Sequence, residues 1–262
     1  MSIESKEEKK RKIKSTILSV LIVLCLIVMG VSGYFFFSKL YEYKVGEDEY
    51  NNIRNEVVIE NNPFHEENTE EVKEIPPIEV NFEQLKNINP DVIGWIYICA
   101  TETSYPILKG ENNDAYLRTT IEGNTNTAGS IFMEEQNSAN FMDPNTIIYG
   151  HSMKNGTMFG KLKQFLQNDA LEKSPYFWIL TPGGNYKYKI FSCYEVNARS
   201  DTYTLFYGRD KRFLEWCIKM KDQSFIECGN QTFSIDSNVV TLSTCAAATG
   251  SMRRVVQGVL EQ

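Results

Sequence analysis

The feature that most constrains this chain is a run of 21 residues without a charge, Ile17 to Phe37. Coiled as a helix, such a run is about 31 Å long, which matches the hydrocarbon core of a bilayer. Lys9, Lys10, Arg11, Lys12 and Lys14 precede it, and the stretch after it, residues 41–50, is acidic on balance. The positive-inside rule then keeps the N-terminus cytoplasmic and sends the rest of the chain outside. A cleaved signal peptide is the competing reading, but its apolar region is shorter and closes on small residues. Here the run closes on Tyr34, Phe35, Phe36 and Phe37, residues suited to the aromatic belt of a membrane interface.

Charge divides the rest. Residues 1–14 carry six Lys/Arg and three acids, residues 41–80 three and twelve, and residues 81–262 seventeen and nineteen. The last part is thus close to neutral and has no basic stripe, which argues against nucleic-acid binding. Tyr41, Val45, Tyr50, Ile53 and Val57 recur at helical spacing and predict an amphipathic helix over 41–60. Residues 61–78, rich in Glu and Asn and ending in Pro76-Pro77, read as a solvated spacer.

Beyond the spacer, short β-rich runs dominate: Val92–Ile98, Ser104–Leu108, Gly129–Met133, Thr146–Tyr149, Tyr176–Leu180, Tyr186–Tyr194, Gln231–Ile235, Val239–Leu242 and Arg254–Val259. Thr181-Pro182-Gly183-Gly184 marks a hairpin. Helical pieces are expected at Phe82–Ile88, Met158–Leu166 and Asp210–Lys221. About eight strands with turn signals predict a mainly β fold, a closed or nearly closed barrel with short peripheral helices; periodicity alone does not separate barrel from sandwich.

Two strand ends stand out. His151, the one histidine of the folded part, closes Ile147-Ile148-Tyr149-Gly150-His151, and Cys245 closes Val239-Val240-Thr241-Leu242-Ser243-Thr244-Cys245. Either residue alone is more simply a structural histidine or a buried cysteine. Arg253 follows eight residues later, and antiparallel pairing of the two strands brings it back to the level of Cys245. A guanidinium there stabilises a thiolate and donates to an oxyanion. Arg254 is the alternative. Five of the six cysteines, Cys99, Cys193, Cys217, Cys228 and Cys245, follow the apolar run; an odd number leaves at least one unpaired within the chain. A Cys217–Cys228 disulfide is conceivable, though the chain is not cysteine-dense. No CxxC or HExxH pattern occurs, and a zinc site is not expected.

Together these motifs resemble the class B sortases. Thr241-Leu242-Ser243-Thr244-Cys245 is similar to the TLxTC signature, with Arg253 where the family's arginine follows. Asn145–Gly160 resembles the family's histidine segment, and Asn89–Ile96 and Gly129–Met133 match in order. Asn113 and Leu117 are similar to the Asn-xxx-Leu pair of the substrate groove. The resemblance spans roughly residues 82–260. One departure is that Ala246-Ala247-Ala248-Thr249-Gly250-Ser251 carries no acid, where many class B members do. This favours a Cys-His-Arg mechanism over a Cys-His-Asp triad.

The resemblance implies a cysteine transpeptidase with Cys245 as nucleophile, His151 as proton-transfer partner and Arg253 as oxyanion stabiliser. It implies substrate contacts from Asn113, Leu117, Ser243, Thr244 and Tyr203, and no metal or organic cofactor. The expected partners are secreted proteins with a C-terminal sorting signal, cut after Thr, and an amine of a cell-wall peptide or a pilin. The expected organisation is a basic cytoplasmic tail over 1–14, a membrane anchor over 15–38, a helical and acidic spacer over 39–80 and a catalytic domain over 81–262, on the outer face of the cell membrane. A hydrolytic cysteine protease and a non-catalytic surface β-domain are the rival readings.

Overall fold

One helix, α1 (Ile3–Val57), carries the whole apolar run. The computed structural model describes residues 3–61, 75–245 and 251–261, with backbone alone at 3–9, 12, 168 and 245. The chain forms two compact units, Met1–Val45 and Gly46–Gln262. In the first, the apolar side chains from Ile17 to Phe37 are exposed all round the helix. Its most apolar stretch has a mean hydropathy of 2.6 and no buried residue, so the helix is long and apolar enough to cross a membrane.

The last turns of α1 belong to the second unit and are amphipathic. Tyr50, Ile53 and Val57 are 3%, 2% and 1% exposed and lie on one helical face, whereas Tyr41 and Val45 stay exposed. The Tyr50 hydroxyl donates to the Gly129 carbonyl at 2.7 Å, and the Arg54 guanidinium donates to the Ser104 carbonyl. The helix expected to run to residue 60 ends at Val57. Val58–Glu60 is instead a strand, β1, paired with β2 (Ile78–Val80), because the β-branched run Val57-Val58-Ile59 favours extended backbone. The acidic stretch 62–74, including His65, lies outside the described residues.

The expected eight-stranded barrel is present and closed, in the order β10-β8-β7-β3-β4-β5-β6-β9. Its strands are β3 (Val92–Ile98), β4 (Thr103–Leu108), β5 (Ile131–Met133), β6 (Asn145–His151), β7 (Tyr176–Thr181), β8 (Gly184–Asn197), β9 (Val239–Cys245) and β10 (Met252–Leu260). Ile96, Ile107, Ile148, Ile190, Leu242 and Val256 are buried among its filling side chains. Helix α2 (Phe82–Ile88) is capped by Asn81, whose side chain accepts from the Gln84 N–H; α4 (Lys211–Asp222) is capped by Asp210. A further short helix, α3 (Asn168–Lys173), precedes β7. The hairpin signal is met, with Thr181 opposite Gly184 across Pro182-Gly183.

Three further expectations are corrected. Gln231–Ile235 is not a strand: only Phe233 packs inward, edge-on to Phe191 at 4.9 Å, and the polar neighbours leave its backbone outside the sheet. The segment expected to be helical from Met158 is a 3-10 turn over Gly160–Leu166. Strand β5 begins at Ile131 instead of Gly129, because Gly129 has φ +54° and Ser130 N–H is tied to the Tyr116 carbonyl.

Candidate active site

The parallel pairing of β6 and β9 sets His151 directly beside Cys245 at the ends of both strands. Two hydrophobic runs with the same period-2 alternation end together, so their terminal residues meet at the barrel rim. The antiparallel pairing of β9 and β10 sets Val255 opposite Ser243; two residues further along that register, Arg253 is level with Cys245. Gly150 is required just before His151, since a Cβ there would collide with Ile131 and Phe159.

Beside these strand ends is a cleft of about 440 Å³. Its walls include five residues singled out in the sequence: Asn113, Leu117, His151, Tyr203 and Arg253. The adjacent Arg254 faces away, as alternation demands, and pairs with Glu195 at 2.7 Å. Ser243 and Thr244 lie behind the wall. The buried Ser243 hydroxyl bonds the Tyr203 hydroxyl at 2.8 Å, and Thr244 Oγ1 accepts the Arg254 N–H at 3.0 Å. Residues 246–250, which carry the departure from an acidic loop, lie outside the described residues.

Sequence reasoning missed Arg118, Phe132, Tyr149 and Ala198, which also line the cleft. Tyr149 was within reach: it stands two residues before His151 on one strand, hence on the same face. Its ring stacks with Tyr203 at 6.4 Å and lies 5.5 Å from Phe132, giving an aromatic wall. Ala198 and Arg118 come from loops, where no periodicity points to them.

His151 is half-buried, and its Nε2 lies 2.6 Å from the Leu117 carbonyl oxygen. A carbonyl only accepts, so Nε2 carries a proton and Nδ1 is the nitrogen left for proton exchange. The loop that holds Leu117 is itself pinned: a Cβ at Gly129 would strike the Leu117 carbonyl, and Ser130 Oγ donates to the Thr119 carbonyl at 2.8 Å. Burial lowers the His151 pKa from its ordinary value; the Leu117 bond opposes this and the nearby Arg118 charge adds to it. The resting imidazole is therefore biased towards neutrality.

The other described thiols differ in setting. Cys217 is buried within α4 and unpaired, and the loop after α4 brings Cys228 beside Cys193 instead. The conceivable Cys217–Cys228 bridge is thus not formed.

The Sortase domain family matches residues 96–261. Sortase B of Listeria monocytogenes is 34% identical over 245 residues, which cover 90% of this chain and 95% of that protein. Sortase B of Staphylococcus aureus is 31% identical over 167 residues, covering 64% and 68%. Among solved structures, S. aureus Sortase B superposes with a TM-score of 0.65 at 30% identity, covering 69% of this chain and 86% of that one. Sortase B from B. anthracis, solved in complex with AAEK1, gives 0.71 at 28% identity, covering 85% and 99%.

Proposed function

The chain belongs to the sortase family and is a cysteine transpeptidase, and from that premise we propose that Cys245, His151 and Arg253 carry its chemistry on a sorting signal and an amine. The observation that supports this most is the register that sets His151 beside Cys245 and, extended two residues past the Val255–Ser243 pair, brings Arg253 level with them. An ordinary thiol has a pKa of about 8.5, so Cys245 needs a proton acceptor or a cation close by. His151 takes the thiol proton at Nδ1 and the sulfur attacks the carbonyl of the substrate threonine. The electron pair that moves onto the carbonyl oxygen is met by Arg253. As the tetrahedral adduct collapses, His151 returns the proton to the departing amine and a thioester remains. An incoming amine then attacks, His151 takes its proton and returns it to the departing sulfur, and the acyl group stays on the amine. Asn113, Leu117 and Tyr203 bind the signal along the cleft; Ser243 acts by holding Tyr203, and Thr244 by anchoring the start of β10 beside Arg253.

Complexes of relatives support the reading of the substrate class and amine. Staphylococcus aureus sortase B has been solved as a substrate complex, and a Sortase B has been solved in complex with triglycine. For this chain we propose a C-terminal sorting signal of a secreted protein, and an amine from a cell-wall peptide or a pilin. The basic flank before the apolar run and the acidic one after it support a single-pass anchor with the catalytic domain outside, along the boundaries 1–14, 15–38, 39–80 and 81–262. The test is product analysis with quenched fluorescent peptides that carry Thr-Gly or Thr-Asn at the scissile bond. With triglycine added, the acyl fragment should appear mainly as the glycine conjugate. A product split that ignores added amine would make the enzyme a hydrolase.

The two arginines give a paired test. Arg253→Lys should lower kcat by about 10²–10³ with little change in KM, since lysine keeps a charge but loses the planar fork. Arg254→Lys should be nearly silent, as that side chain is engaged with Glu195 on the other face. Equal damage in steady-state kinetics would put the register argument in error.

A further inference from the structure

Behind the cleft wall is a carboxylate that the mechanism above does not use. Glu134 follows β5, is 7% exposed, and is not one of the residues lining the cleft. Its two oxygens hold two residues that do line it. Oε1 accepts from Asn113 Nδ2 at 2.8 Å, and Oε2 accepts from the Tyr149 hydroxyl at 2.9 Å. Asn113 is gripped from its other end as well, for its Oδ1 accepts the Glu135 backbone N–H at 2.9 Å. A carboxamide with its oxygen on a donor and one N–H on a carboxylate cannot turn over, and it has a single N–H left to offer. The segment that holds Glu134 is also fixed: its N–H donates to the Ile147 carbonyl of β6 at 2.9 Å, and the Lys109 ammonium donates to the carbonyls of Glu134 and Glu135 at 3.3 and 2.8 Å.

We propose that Glu134 is a positioning residue for the peptide substrate, its carboxylate fixing Asn113 and Tyr149 so that the cleft wall presents one aimed N–H donor to a carbonyl oxygen of the bound chain. The proposal rests on the reading of Asn113 as a substrate contact. Its physical basis is preorganisation: a side chain already ordered in the free enzyme does not lose rotamer freedom on binding, and ordering two side chains weakens binding by about tenfold or more. A charged acceptor behind the wall also makes both hydrogen bonds stronger than neutral ones.

The experiment is steady-state kinetics on the full chain, with the best-cleaved member of the Thr-Gly and Thr-Asn peptide set, for Glu134→Ala, Glu134→Gln, Asn113→Ala and the double variant Asn113→Ala/Glu134→Ala. Glu134→Ala should raise KM about tenfold and leave kcat within about twofold. Glu134→Gln should recover most of this, because the amide still accepts from Asn113 and can donate to Tyr149. In the Asn113→Ala background, Glu134→Ala should add less than about threefold, since residues that act as a unit are not additive. Thermal melting of each variant separates positioning from loss of fold. Should Glu134→Ala fail to fold, Glu134→Leu, which fills the space and accepts nothing, takes its place under the same criteria. Full additivity, a Gln variant no better than Ala, or a fall in kcat at unchanged KM overturns the proposal. An Asn113→Ala variant with normal KM removes the substrate reading of Asn113 itself. A raised KM there with a normal Glu134→Ala enzyme removes the positioning role alone.

Discussion

Cys245→Ala should abolish both peptide cleavage and amine transfer, and mass spectrometry should find no acyl-enzyme. The other thiols are poor substitutes. Burial pushes the Cys217 thiol up to about 12 and raises Cys193 and Cys99 above the ordinary thiol value, so few of these groups are ionised at neutral pH. Cys25 lies in the apolar helix. Cys228 is the exception, because a hydrogen bond from Cys193 draws its pKa down. It sits beside Leu171 and Pro175, at a separate pocket from the cleft. A simple thiol reagent would therefore mark Cys228 too, and the assay needs a substrate-derived acyl label. An acyl adduct on any other cysteine of the Cys245→Ala protein would move the nucleophile there.

His151→Ala should lower kcat/KM by about 10²–10⁴ while the barrel still folds, the usual worth of general acid–base help. The fold should survive because the imidazole is half-buried and its ring is tied, among the described residues, to the Leu117 carbonyl. Near-normal turnover would end the assigned role. The same imidazole has a pH signature. Its folded-state pKa is depressed, so it is neutral above that value and becomes charged only as pH falls through it. In the Cys245→Ala protein, where no reactive thiolate can pair with it, the His151 ring should titrate by NMR below its ordinary value of 6.5. A midpoint above that value would mean that the Leu117 bond or an unrecognised anion outweighs burial.

Much of this was legible along the chain because each signal is local. The uncharged run needs only length and composition, and α1 carries it as one exposed helix. The strands that end in His151 and Cys245 announce themselves through β-branched runs, and the hairpin at Pro182-Gly183 through its turn residues. Gln231–Ile235 misled for the same reason: alternation predicts a strand wherever it occurs, but a ladder also needs a partner with free backbone groups, and none pairs with it among the described residues. The tail of the predicted amphipathic helix erred because Val58-Ile59-Glu60 found such a partner in Ile78–Val80, some twenty residues away across the spacer.

What the sequence determined by itself, then, is which side chains are candidates for the reacting groups and the ends of the strands that carry them, because side-chain chemistry and period-2 alternation are properties of the chain alone. Only the tertiary structure decided that β6 and β9 lie parallel, with His151 opposite Cys245. It alone decided that the Leu117 carbonyl would select the histidine tautomer, and that Glu134 would stand behind Asn113 and Tyr149. These contacts join residues 15 to 94 positions apart, and closing the barrel brings them within hydrogen-bonding reach. No local propensity encodes that closure, since it depends on every strand finding its neighbour.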